Sequence, residues 1–349
     1  VSMVRAGQSY PDLHVHAHHV LAGLLREHVI IRMSAAGIVD QTFSPSPDNK
    51  IESFAVQADG KIVIAGIFSN LQPNPFAAPV TRNRIARLNA DGTLDTGFDP
   101  NLNGEARAVV VLPDGKIMVG GGFFGLKPNG ATDTITRSYL ARLNADGTVD
   151  TAFDAHASGA VNALLLQGDG KLLVGGAFNN LQPPGSSKVI ARTHLARLNG
   201  DGSLDTSYDP TFANAPGNSV RALAIQTDGN ILLGGSFGKL AGSTGDNLVR
   251  FKSDGSIDFS FNPGINGPVN ANAVQTNKDS FVTQGNGVAW LGADGLPRPG
   301  FTLSSALQIS GVIMSSAVQA DGSILLGGSF SNTSGATGGN LVRITANGT

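Results

Sequence analysis

Arg87-Leu88-Asn89-Ala90-Asp91-Gly92-Thr93-Leu94-Asp95 returns as Arg142-Leu143-Asn144-Ala145-Asp146-Gly147-Thr148-Val149-Asp150. It returns again as Arg197-Leu198-Asn199-Gly200-Asp201-Gly202-Ser203-Leu204-Asp205. The copies stand 55 residues apart, from Arg87 to Arg142 and from Arg142 to Arg197. Weaker copies begin at Arg32, Arg250, Trp290 and Arg343. A second phrase alternates with the first. It reads Ala163-Leu164-Leu165-Leu166-Gln167-Gly168-Asp169-Gly170-Lys171-Leu172-Leu173-Val174-Gly175-Gly176-Ala177-Phe178. Its other copies carry Asp59-Gly60, Asp114-Gly115, Asp228-Gly229 and Asp321-Gly322, with a degraded copy through Asn277-Lys278-Asp279.

Each phrase is an apolar run, Asp-Gly, and another apolar run. Asp-Gly between aliphatic or β-branched runs is a hairpin signal, because tight turns need a residue that tolerates positive φ. Two hairpins per period predict four strands, and stacked four-stranded units are the blades of a β-propeller. The reading is all-β: a six-bladed β-propeller with four antiparallel strands per blade over residues 29–349. The chain enters and leaves on first-phrase strands. Closure is therefore expected through a blade shared between the termini, with Ile38 to Phe43 as its outer strand. A seven-bladed ring would need chain beyond Thr349.

The phrases resemble a known family, the Asp-Gly-rich delta-sixty propeller repeat of bacterial cell-surface and secreted proteins. The matching text is Val161-Asn162-Ala163, Gln167-Gly168-Asp169-Gly170-Lys171, Gly175-Gly176-Ala177-Phe178 and Leu195 to Asp205. The resemblance implies propeller architecture and extracellular use, and carries no general activity. The unit around Asn277 and Trp290 lacks the Gly-Gly-x-Phe strand end, so its blade is expected to differ in shape.

Composition narrows the function. The 349 residues are 41% hydrophobic and 14% charged, with 46 glycines, and the net charge is −2. Low charge with ample apolar content argues against disorder. No basic stripe is present to neutralise phosphates, which speaks against nucleic-acid partners. No apolar run approaches the ~20 residues that span a bilayer. With no cysteine, disulfides and thiol chemistry are excluded. The glycine- and amide-rich, charge-poor text suits an extracellular or periplasmic protein, although Val1-Ser2-Met3 does not read as a secretory signal.

Residues that repeat in every unit are expected to be structural. Asp91 and Asp95 have calcium-like spacing, but a turn aspartate and a backbone-bonded aspartate explain them better. The arginine of Arg-Leu-Asn is expected to pair with such an aspartate. Residues that break the period are the candidates for binding. The Asp-Gly turns fall on one face and the irregular connections on the other. These connections are Ser69 to Arg84, Gly125 to Ser138, Asn179 to Thr193, Gly238 to Asp246 and Ser331 to Gly339. Insertions gathered on one face of a repeat protein mark a binding face or merely cover the rim. Gln72, Phe76, Arg82, Lys127, Gln182 and His194 are the candidate binding residues there.

The N-terminus is the second anomaly. Five of the seven histidines, His14, His16, His18, His19 and His28, precede the first repeat. Residues 1–28 read as a histidine-rich leader, disordered or foreign to the native protein, with a helical turn or two over Val20 to Glu27. In a strand, His14, His16 and His18 share one side, and three imidazoles suit zinc. Asp12-Leu13-His14-Val15-His16 also resembles the metal motif of amidohydrolases, without the rest of that barrel. His156 and His194 are single histidines with no partner in sequence.

Two functions follow from different classes. The first is an extracellular binding or scaffold module that recognises a protein or glycan through the loop face and requires no cofactor. The alternative is a metal-dependent hydrolase of lactonase or phosphoesterase type acting on a small ester. Its zinc or calcium would sit in the axial channel or at His14, His16 and His18. A purely structural blade array is the third reading.

Overall fold

The structure, a computed structural model, describes residues 14–18, 29–33, 40–182, 187–210, 218–237, 247–265, 267–274, 278–284, 287–298, 309–319, 323–332 and 341–345. Besides a small three-stranded sheet of Ser46–Pro47, Asn70–Gln72 and Val80–Thr81, six three-stranded antiparallel sheets follow one another in these residues. The first comprises Ile51–Val56, Ile62–Gly66 and Ile85–Leu88. The second comprises Ala106–Val111, Ile117–Gly121 and Leu140–Leu143. Val161–Leu166, Leu172–Gly176 and Leu195–Leu198 make the third. Ser219–Ile225, Ile231–Ser236 and Leu248–Phe251 make the fourth. The fifth is Val269–Val274, Ser280–Gln284 and Gly287–Leu291. The sixth is Ile309–Val318, Ile324–Asn332 and Leu341–Ile344. The second strand is central in every sheet, and the first strands of successive sheets pack on one another.

In each of the first five sheets the expected fourth strand is reduced to one bridge, such as Leu88 with Leu94 and Leu143 with Val149. The cause lies a few residues on. After Asp95 the chain leaves the sheet edge so that Phe98 can be fully buried. The Asp-Gly turns also differ from the simplest hairpin. Only the glycine takes positive φ, +80° at Gly60 and +91° at Gly92. The aspartate acts through its side chain, with Asp59 Oδ1 accepting from the Lys61 amide at 3.1 Å. Asp91 Oδ1 accepts from the amide and hydroxyl of Thr93. This is a type I turn followed by a left-handed glycine.

Each Gly-Gly pair solves two close approaches. A Cβ on Gly176 would lie 2.2 Å from the Ala160 carbonyl oxygen of the adjacent strand. A Cβ on Gly175 would lie 2.6 Å from Val220 of the next sheet. The first contact sits at a bulge where the pairing register shifts between Val161 and Ala163. Gly121 and Gly120 meet Glu105 and Val161 in the same way.

Successive sheets are also clasped at their turn ends. Arg87 Nε donates to Asp95 Oδ2 at 2.9 Å, and its Nη1 reaches the Ala145 carbonyl in the next sheet's turn. Arg32 reaches Ala90, Arg142 reaches Asp201, Arg197 reaches Ser253 and Arg250 reaches Ala293. Beneath each guanidinium lies an aromatic ring: Phe43, Phe98, Phe153, Tyr208 or Phe261, at 4.1–4.9 Å. These rings abut Gly92, Gly147, Gly202, Gly255 and Gly295 of the following turn, where a Cβ would collide with them. Lys61, Lys116 and Lys171 complete the clasps by donating to Asp95, Asp150 and Asp205.

The fifth sheet does depart from the pattern, although its strands are in place. Trp290 replaces the clasp arginine, Arg298 the aspartate and Asp279 the lysine. The ion pair is thereby reversed in polarity, with Arg298 Nη2 donating to Asp279 Oδ1 at 2.5 Å. Trp290 stacks on Phe281 at 5.2 Å. No arginine stands at the clasp position of this sheet.

The clasp carboxylates set a pH dependence. Burial opposes ionisation of Asp95, Asp150, Asp205 and Asp258, but charged and hydroxyl donors outweigh it and hold all four below the usual carboxylate range. Asp40, with the Thr42 hydroxyl and Arg32, is lowered to about 2. At neutral pH these groups are ionised in folded and unfolded chains alike, so their contribution is complete. On acidification the unfolded chain takes up protons first, near pH ~4, which favours unfolding. Denaturant melts are expected to change little from pH 7 to about 5 and to weaken steeply below about 4.

The shared blade is not seen among the described residues. Asp40 bonds through its amide to Arg32 of Val29–Met33, not to the C-terminal sheet. Val29–Met33 pairs with His14–His18. The edge of Ile324–Asn332 is already occupied by Leu341–Ile344. Among the described residues the first and sixth sheets make no contact comparable with those between neighbours. Residues 38 and 39, the Val20 to Glu27 turns, and His19 and His28 lie outside the described residues.

Candidate functional site

The connections opposite the Asp-Gly turns fold as small hairpins. Asn70–Gln72 pairs with Val80–Thr81 and with Ser46–Pro47. Gly125–Leu126 pairs with Ile135–Thr136, and Asn180–Leu181 with Ile190–Ala191. The leucine of each related phrase, Leu71, Leu126 or Leu181, is buried and anchors its loop. Within 183–186, 238–246 and 333–339 the predicted loops lie outside the described residues.

Phe76 stands at the tip of the first hairpin and is 98% exposed. Its backbone is held in place. Asn74 Oδ1 accepts from the amides of Phe76 and Ala77, both at 3.0 Å. Gln72 Nε2 donates to the carbonyls of Pro75 and Ala77, at 3.3 and 2.7 Å. Gln72 is thus a brace for the loop, and Phe76 is its presented group. An Asx turn of this kind fixes a loop without core packing.

Arg82 and His194 were expected on the loop surface and are instead interior. Arg82 is 7% exposed, donates to the carbonyls of Thr81 and Thr96, and lies 3.6 Å from Asp99. Arg137 and Arg192 occupy the same place with Asp154 and Asp209. The recurrence marks a second structural arginine per unit. Burial raises Asp99 above the usual carboxylate range, and Arg82 opposes that rise.

His194 is 3% exposed with φ +63°. Arg84, Tyr139 and Asn247 hold the same left-handed position, at +68°, +65° and +65°. The His194 amide donates to the Phe178 carbonyl at 2.8 Å, as Arg84 does to Phe68. Burial lowers the His194 imidazole below its ordinary value, partly offset by a hydrogen bond to the Gly176 backbone carbonyl. Its position serves the chain turn into the third strand.

Lys127 is exposed, and Gln182 is half-buried with its amide on the Ala155 carbonyl. His156 pairs with Asp154 at 3.0 Å. Strand His14–His18 sets His14, His16 and His18 opposite Met33, Ile31 and Val29. Among the described residues no three His, Asp or Glu side chains gather as a metal site. Sequence reasoning missed one aromatic pair. Phe124 is 54% exposed and meets Tyr139 edge-on at 4.9 Å. The signal was present, since Ser69 and Asn179 hold the equivalent position and only Phe124 is aromatic.

A family model described as "Domain of unknown function (DUF5122) beta-propeller" matches residues 57–98, 112–153, 167–208, 226–261 and 319–349, more than half of the chain. No curated protein sequence matches it significantly. Solved structures resemble it in fold. Virginiamycin B lyase from Staphylococcus aureus has a TM-score of 0.57 at 13% identity, covering 93% of this chain and 90% of that one. The WD40 β-propeller domain of Doa1 gives 0.55 at 14%, covering 98% and 90%. The extracellular domain of the putative one-component system BT4673 from B. thetaiotaomicron gives 0.52 at 16%, covering 93% of this chain and 40% of that one. At these identities the likeness concerns the fold alone. Among the described residues no helix is long and apolar enough to cross a membrane.

Proposed function

The chain belongs to the DUF5122 β-propeller family, and from that premise we propose that it is an extracellular binding module that engages a protein or glycan through its loop face. Six repeated sheets in one chain order support a six-bladed propeller as the scaffold. The observation that carries the reading is Phe76, almost wholly exposed on a loop braced by Gln72 and Asn74. A phenyl ring in water forgoes about 1.5–3 kcal/mol that burial against a partner recovers. A loop already ordered spares a partner the cost of ordering it. Aromatic anchors presented in this way dominate binding energies. The likeness to an extracellular domain supports the location. The module requires no cofactor.

Glycan arrays and pull-downs of surface proteins, with intact protein and with Phe76→Ala, test the reading. Truncating the anchor is expected to weaken capture by about 2 kcal/mol, roughly thirtyfold. A second variant with the Asn179 to Thr193 loop shortened probes the adjoining unit. Capture unchanged in both variants removes the loop face from the account.

A further inference from the structure

The seam between the second and third sheets departs from its neighbours in three ways, all at one spot on the turn face. First, Leu112 stands where the other sheets have Gln57, Gln167, Gln226 and Gln319. Gln57 Oε1 lies 3.5 Å from the clasp arginine Arg87, and Gln226 Nε2 bridges to the Lys278 carbonyl of the next sheet. Leu112 does neither and offers an apolar wall. Second, Gly200 stands where the other turns have Ala90, Ala145, Ser253 and Ala293. The Ala90 methyl fills the space over Gly60, at 3.2 Å from a Cβ built there, whereas nothing lies within 4 Å over Gly170. Third, the clasp is displaced by one residue. Arg142 donates to the Asp201 carbonyl at 3.1 Å, while the other four clasps reach the residue equivalent to Gly200.

The three changes coincide with a cleft of about 210 Å³. Leu112, Met118, Leu172 and Leu198 line it together with Arg142, and Asp114 and Asn199 are its other polar lining residues. Met118, Phe153, Leu172 and Leu198 are buried core side chains. A polar bridge and a methyl have been exchanged for an open apolar recess. Cavities of about 150 Å³ lined by such residues hold a single benzene-sized ring.

We propose that this cleft is a binding site for a compact single-ring aromatic molecule whose polar substituent meets Asp114 and Asn199. The Arg142 guanidinium, which lines the cleft above the Phe153 ring, and the Met118 sulfur favour an aromatic guest over a saturated one of equal size. The rim carboxylate and amide suit a hydroxyl. The site lies at the opposite end of the sheets from the Phe76 loop and does not depend on it.

The test titrates p-cresol into the intact chain and follows amide chemical shifts. Saturable shifts centred on Gly170, Gly200 and Gly202 are expected. Gly200→Ala refills the recess. Its Cβ would meet only the Gly170 carbonyl, at 3.7 Å, an ordinary contact, so the variant folds. Leu112→Gln restores the residue of the other sheets. Each change is expected to weaken p-cresol at least about tenfold, while Phe76→Ala leaves it unaltered. Shifts that do not saturate, or full affinity in Gly200→Ala, overturn the site. Equal affinity for cyclohexanol overturns the aromatic assignment.

Discussion

Asp205→Ala is expected to destabilise the protein by about 3–5 kcal/mol, the range for breaking a buried ion pair from one side. Asp205 Oδ2 accepts from Arg197 Nε and Lys171 Nζ, both at 2.8 Å. Its Oδ1 accepts from the amide and hydroxyl of Ser207, at 3.1 and 2.6 Å. Truncation would leave the Arg197 guanidinium buried over Tyr208 without its counter-charge. The clasp onto Ser253 would loosen with it, because that contact is the longest of its kind, at 3.4 Å. Asp91→Ala is the contrasting case. That side chain is exposed and accepts only within its own turn, so a much smaller loss is expected. In a repeat architecture each unit leans on its neighbours, and the damage should concentrate at one seam. Urea melts supply the magnitude, and hydrogen exchange between the third and fourth sheets supplies the place. A loss under 1 kcal/mol for Asp205→Ala, or protection unchanged at that seam, means the arginine clasps are ornament and not joints.

The period of 55 residues was enough to place three strands of each unit, the turns and the core, since the strand after each second-phrase Asp-Gly turn is almost wholly buried, but it promised a fourth strand that is a single bridge. The arginine–aspartate pairing followed from the same repetition. What the text hid was which neighbour each side chain meets across a seam. Arg87 and Ala145 are far apart in sequence, and nothing local says that one holds the other. Arg82 and His194 misled because they lie in variable connections, where variation reads as exposure. The Arg82 position, shared with Arg137 and Arg192, is buried in each unit, whereas His194 is buried where Arg84 and Tyr139 are half-buried. Phe76 was legible as an exposed aromatic, but the brace from Gln72 was not, because a side chain bonding its own loop leaves no periodic trace. The apolar cleft was hidden for a related reason. Leu112 and Gly200 each look like minor lapses in a repeat, and only their meeting at one seam makes a space.

The Gly-Gly pair supplies the other large effect. Gly176→Ala is expected to cost about 3 kcal/mol or more, at the upper end of single-residue changes. The new methyl would sit 2.2 Å from the Ala160 carbonyl oxygen and 3.0 Å from the Val161 Cα. Both are backbone atoms, so no rotamer change relieves them. The strands must part instead, at the bulge that carries Asn162, whose amide reaches the Val220 carbonyl of the fourth sheet at 3.1 Å. Strain at Gly176 therefore passes to the seam beside it. Gly168→Ala, in the same hairpin with nothing within 4 Å of its Cβ, is the control and should lie within about 0.5 kcal/mol of the parent. Because Gly176 is not at positive φ, a large loss there reports the close approach alone and not backbone freedom. Equal melting temperatures for the two variants would mean that the first two strands separate freely at the bulge, and the second glycine of each pair would then need another explanation.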